Sequence, residues 1–132
     1  MASVTVQLRN IADTQASLGW SEGRTLVVDR TAGKAGGMGL GFSGSQLLSL
    51  AIGGCFCNTL RKAAHELNVA LGRVEVDVDL QMDGDPLTAT SAVMRVRCET
   101  ADGERAIDVI ERSRNAGMVS RALSFPVRLE IV

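Results

Sequence analysis

The chain has 132 residues, a net charge of −1 at neutral pH and a 45% hydrophobic content, enough to bury the core of one domain. Aromatic residues are only 3% and tyrosine is absent, which excludes the basic grooves and stacking rings of a single-strand nucleic-acid binder. The 3 cysteines form no zinc-type pairs, and the longest apolar run, Leu47 to Cys57, is far shorter than the ~20 residues that span a bilayer.

No basic region followed by an apolar stretch opens the chain, so no signal peptide is read and a reducing cytoplasm is expected. Val4, Val6 and Leu8 alternate with polar residues as a half-exposed first strand. Turn residues around Gly19 and Gly23 lead into a second strand, Thr25 to Asp29, and Thr31 to Gly44 reads as a glycine-rich loop. A long helix follows, roughly Ser45 to Asn68. Leu47, Ala51, Cys55, Thr59 and Ala63 share one i+4 row, with Leu48, Ile52, Phe56 and Leu60 beside it. With little polar relief before Asn58, its first half is expected to be buried on most sides, while Arg61, Lys62, His65 and Glu66 give the second half a wet face.

The clearest alternation comes next. Val74, Val76, Val78, Leu80 and Met82 point one way, Glu75, Asp77, Asp79 and Gln81 the other, and Asp83-Gly84-Asp85-Pro86 turns the chain. The return strand puts Met94, Val96 and Cys98 on the core face. The simplest register sets Arg95 opposite Asp77 and Arg97 opposite Glu75. A second helix is predicted from about Gly103 to Asn115, with Ala106, Ile107, Val109 and Ile110 inward and Gly117 as its C-cap. Val127, Leu129 and Ile131 form a last strand. The order β-β-α-β-β-α-β makes an α+β domain over residues 1–132, with a long helix against a largely antiparallel sheet.

Gly53 and Gly54 stand in the long helix directly before Cys55, although each glycine there costs about 0.5–1 kcal/mol relative to Ala. Another helix packing closely, or a ligand reaching the sulfur, would account for them. A buried structural thiol is the plain alternative for Cys55. Cys57, about 200° round the helix from Cys55, reads as a core residue, as does Cys98 by strand parity. His65 reads as a solvated side chain, and with the chain's single His no metal site is expected. Gly39-Leu40-Gly41-Phe42-Ser43-Gly44 is a literal G-x-G-x-x-G, but the preceding strand ends near Asp29, about ten residues too early for a dinucleotide-binding turn. It is read as a glycine loop arching over the helix start.

The block Asp29…Gly36-Gly37…Gln46-Leu47-Leu48-Ser49-Leu50-Ala51-Ile52-Gly53-Gly54-Cys55 resembles the OsmC/Ohr family of osmotically inducible and organic hydroperoxide resistance proteins. The alternating hairpin and Val119-Ser120-Arg121-Ala122-Leu123…Pro126-Val127 extend that resemblance over nearly the whole chain from Leu26. It implies an intertwined homodimer in which both sheets clasp the central helices, and that would explain the apolar run from Leu47 to Phe56. It also implies a reactive Cys at position 55 that attacks a peroxide, a resolving Cys that closes a disulfide, and an Arg and a Glu that hold the thiol as thiolate. Cys55 matches the reactive position. Gln46 stands where the family has Glu, the resolving position falls at Gly117, and Arg30 is the candidate for the Arg, with Arg9 as its rival.

Two functions follow as expectations. The first is thiol-dependent reduction of organic hydroperoxides through Cys55, Gln46 and Arg30, with an external thiol in place of the missing resolver. The second is a non-peroxidase relative that uses a dimer-interface pocket as a small-molecule-binding or structural module. Neither calls for a metal, a cofactor, a nucleic acid or a membrane.

Overall fold

Strict alternation builds the longest strands of the protein. A computed structural model describes all 132 residues. Its elements run β1 (Gln7–Asn10), β2 (Ser17–Ser21), β3 (Arg24–Val28), α1 (Gly44–Glu66), β4 (Leu71–Asp83), β5 (Thr88–Thr100), α2 (Ile107–Ser113), α3 (Met118–Ala122) and β6 (Val127–Ile131). The class is α+β, as expected, with one strand and one short helix more than the predicted order. The residues form two compact units, Met1–Leu47 and Leu48–Val132.

In the first unit, β1, β2 and β3 form an antiparallel meander. The segment read as a turn around Gly19 is instead β2, and Gly19 is buried in mid-strand opposite Leu8 and Leu26. The turn lies at the second of the two expected turn positions, at Glu22 and Gly23. Both have positive φ, 51° and 81°, as a tight hairpin matched to the strand twist requires.

The glycine loop is organised by Asp29. Its carboxylate accepts N–H groups from Arg30 at 2.7 Å, Leu40 at 3.0 Å and Met38 at 3.1 Å, and these bonds, Leu40's first, hold it below the usual carboxylate range. The loop returns to β3 through Phe42, which donates to the Val27 carbonyl at 3.0 Å. A Cβ on Gly41 would lie 2.1 Å from that carbonyl oxygen, so strand pairing dictates a glycine there. Two loop amides thus already serve the protein's own Asp29 carboxylate, in keeping with the reading of G-x-G-x-x-G as a loop rather than a phosphate cradle.

In the second unit, β4 and β5 pair antiparallel and β6 joins β5 in parallel. The pairs Glu75↔Arg97 and Asp77↔Arg95 occupy the expected register, although the Arg95 guanidinium bonds diagonally to Asp79. Helix α1 lays Ile52, Phe56 and Leu60 on this sheet beside Met94, Val96 and Cys98. Each large apolar side chain buried there contributes about 1.5–3 kcal/mol. Gly53 permits the approach: a Cβ would stand 2.9 Å from Val78 Cγ2, so the close neighbour is a strand, not a second helix or a ligand. Gly54 is different, because nothing lies within 4 Å of its Cβ position.

The predicted second helix is shorter and is followed by a separate turn of helix. Ala106, Val109 and Ile110 are buried as expected, but Ile107 is 41% exposed. Gly117 is not a C-cap. The left-handed residue after α2 is Asn115, with φ 61°, whereas Gly117 has φ −75° and ψ 141° and precedes α3 in extended conformation.

Candidate active site around Cys55

Helix periodicity places Thr59, Lys62 and Glu66 at i+4, i+7 and i+11 from Cys55, on one stripe of α1. They line a cleft of about 550 Å³ whose other wall comes from Arg112, Ala116 and Met118. Cys55 is half-buried and free, and Thr59 Oγ1 donates to its backbone carbonyl at 2.9 Å.

The decisive geometry is at Gly117. A Cβ on this buried glycine would lie 3.5 Å from Cys55 Sγ and 3.4 Å from Thr59 Oγ1, ordinary contact distances. Its extended backbone suits any L-residue, so the glycine is not there for conformational reasons. Position 117 therefore faces the Cys55 sulfur, with room for a Cβ at contact distance. Gly117 itself lines a different cleft, of about 460 Å³, floored by Phe56, Met94 and Leu129.

Electrostatically, the Cys55 cleft has one uncompensated cation. Arg112 Nε meets Glu66 Oε2 at 3.0 Å, tying α2 to α1, while exposed Lys62 has no ion-pair partner. Cys57 lies two residues beyond Cys55 along α1, and Cys98 lies on β5. Burial pushes both of these thiols up, against a smaller opposing pull from the Arg61 charge.

The two other expected site residues belong to the first unit and are engaged there. Gln46 closes the start of α1: its Oε1 accepts the Ser43 N–H at 2.9 Å, and its own N–H donates to Ser43 Oγ at 3.4 Å. This is a capping box, and Ser43-x-x-Gln46 spells it in the sequence. Arg30 donates from Nε to the Ala35 carbonyl at 3.0 Å and from Nη2 to Gln15 Oε1 at 2.7 Å. Its rival Arg9 lies over the Trp20 ring, 5.6 Å from the centroid. Sequence reasoning passed over Thr59, Lys62 and Arg112. The helical spacing from Cys55 was a usable signal for the first two, whereas nothing local pointed to Arg112.

Solved structures with this fold include an OsmC-like protein of unknown function from Vibrio cholerae, with TM-score 0.85, 8% identity and full coverage of both chains. An organic hydroperoxide resistance protein OsmC from Legionella pneumophila superposes with TM-score 0.69 at 14% identity, over 99% of this chain and 97% of that one. The organic hydroperoxide resistance protein OhrB of Bacillus subtilis gives 0.64 at 19% identity, over 99% and 98%. No curated protein matches the sequence. The family of OsmC-like proteins matches residues 36–132, most of the chain. Together with the shared fold, that match establishes that the chain belongs to the OsmC/Ohr family of OsmC-like proteins.

Proposed function

We propose that this protein reduces organic hydroperoxides as a one-cysteine enzyme. The Cys55 thiolate attacks one peroxide oxygen, the O–O bond breaks, and an alcohol leaves as Cys55 becomes a sulfenic acid. An external thiol then returns Cys55 to the reduced state. The observation that carries this reading is the 3.5 Å between Cys55 Sγ and the Cβ position of Gly117. A nucleophilic sulfur opens into a cleft at the place where relatives of peroxidase type, by the family resemblance, present a second thiol. Lys62 and Arg112 supply the cations of that cleft.

The working unit in this proposal is a homodimer. Within its own subunit α1 leaves Leu50 49% exposed and Gly54 without a neighbour, and the first unit exposes Val6 at 57% and Leu8 at 48% around an apolar hollow of about 340 Å³. A second copy with the same surfaces would cover them. The proposed setting is a reducing compartment such as the cytoplasm, which would keep all three thiols free. No helix is long and apolar enough to cross a membrane.

The test is consumption of cumene hydroperoxide in the presence of dithiothreitol. Cys55→Ser is expected to abolish turnover, and Cys57→Ser and Cys98→Ser to retain it. A second reading rests on Gln46 and Arg30, whose polar groups are engaged in a helix cap and a loop. It takes the cleft as a binding site without redox chemistry. Equal, negligible consumption by the parent and Cys55→Ser would favour that reading.

A further inference from the structure

The proposed chemistry needs a thiol from outside, and the cleft has features that select among thiols. Cys55 and Lys62 line one cleft, and across it Ala116 and Met118 flank Gly117, whose Cβ position lies 3.5 Å from Cys55 Sγ. Cys55 and Lys62 are separated by two helical turns, about 10 Å of rise. A lysine stem spans roughly 6 Å and swings freely, so its ammonium can meet an anion some 5–10 Å from the sulfur. Glu66 does not neutralise Lys62, because it is paired with Arg112 at 3.0 Å.

Building on the peroxidase reading, we propose that the resolving thiol is an anionic, carboxylate-bearing monothiol of about tripeptide size, its sulfur at Cys55 Sγ in this cleft and its carboxylate on Lys62. A mercaptoacetate is too short to reach both points, and neutral thiols such as dithiothreitol regenerate Cys55 by concentration alone, with no gain from Lys62.

The thiolate of this molecule attacks the Cys55 sulfenic sulfur. The S–O bond breaks, an S–S bond forms, and the hydroxyl leaves as water with the thiol's proton. A second molecule of the same thiol attacks the mixed disulfide at its non-protein sulfur, releasing Cys55 thiolate and the small disulfide. One hydroperoxide and two thiols thus give one alcohol, one water and one disulfide.

The experiment compares glutathione with its diethyl ester, which has the same size and sulfur but no carboxylate. Cys55 is first oxidised with stoichiometric cumene hydroperoxide, and mixed-disulfide formation is followed by mass spectrometry at equal thiolate concentration. Glutathione is expected to react faster with the parent. Lys62→Glu should shift the ratio of the two rates at least about fivefold toward the ester, the size of an exposed ion pair, with Lys62→Gln between them. A ratio unmoved by Lys62→Glu overturns the proposal, as does equal reaction of both thiols with the parent. If peroxide leaves Cys55 unoxidised, the peroxidase reading fails by itself. Exchange of reduced Cys55 with oxidised glutathione then tests the thiol site, and Lys62→Glu must slow it relative to the esterified disulfide.

Discussion

Introducing a thiol at position 117 probes the site most sharply. In a disulfide, the Cβ of one residue lies about 3 Å from the sulfur of the other, given the S–S bond and its angles. The Cβ position at Gly117 is 3.5 Å from Cys55 Sγ, so bond formation asks for about half an ångström of adjustment. The backbone at 117, with φ −75°, accepts a cysteine without strain. The bridge would close a loop of roughly 60 residues, for which chain entropy gives an upper figure of about 4 kcal/mol. Strain reduces that gain, and about 2–4 kcal/mol corresponds to a rise in Tm on the order of 10 °C. Gly117→Cys treated with stoichiometric hydroperoxide should lose two thiols, and a tryptic map should join residue 117 to Cys55. Reduction should return both the thiols and the parent's Tm. A variant that folds but stays fully reduced, or pairs position 117 with Cys57 or Cys98, would refute the placement of Gly117 against Cys55.

The two helix glycines should respond in different ways. Gly53→Ala drives a Cβ to 2.9 Å from Val78 Cγ2, and the clash, about 1–3 kcal/mol, should outweigh a helix-propensity gain of about 1 kcal/mol in urea unfolding. Gly54→Ala meets nothing in its own subunit, so in the proposed homodimer it should lose about 1–3 kcal/mol in concentration-dependent melts, and a simple gain would place no second copy on that face. Gln46→Glu keeps the capping box and adds a negative charge to the first turn of α1, so it should gain about 0.3–1 kcal/mol at low salt and less at high salt. Asp29 has a folded-state pKa below its unfolded value of about 3.9, so its contribution is complete above that pH and is lost as pH falls through the folded value. Acid unfolding below about pH 4 should accordingly be steeper in the parent than in Asp29→Asn, whose stability at neutral pH should be lower.

Elements with a strong period were legible from sequence. The β4–β5 hairpin, its register and the burial of Met94, Val96 and Cys98 all followed from alternation, since a slip of one residue would turn that face to solvent. Strand β2 escaped because Gly19 resembles punctuation. In the sheet it packs flat against Leu8, and the actual turn uses Glu22 in a left-handed conformation that glutamate seldom signals. Helix α2 was drawn too long chiefly at its start, where Arg105 bridges to Glu99 and the Ala106 N–H donates to the Cys98 carbonyl, and by two residues at its end, where Asn115 rather than Gly117 supplies the left-handed stop. At the site, Cys55 and the equivalence of Gly117 to a second thiol position came from family resemblance, and the 3.5 Å approach gives them a common geometry. Gln46 and Arg30 are engaged in local hydrogen bonds of the first unit. Of these, the Gln46 cap was spelled by Ser43-x-x-Gln46, whereas Arg30's bond to Gln15 joins residues that no local pattern connects.

On the proposed mechanism, Cys55 is the peroxide-reactive thiol. The direct measurement is to add one equivalent of cumene hydroperoxide at neutral pH with dimedone present, then locate the sulfenic-acid adduct by peptide mass spectrometry. One adduct per chain is expected, on Cys55, and none on Cys57 or Cys98, whose thiols burial pushes up. Absence of any adduct or overoxidised product on Cys55, with the hydroperoxide unconsumed, would contradict that mechanism.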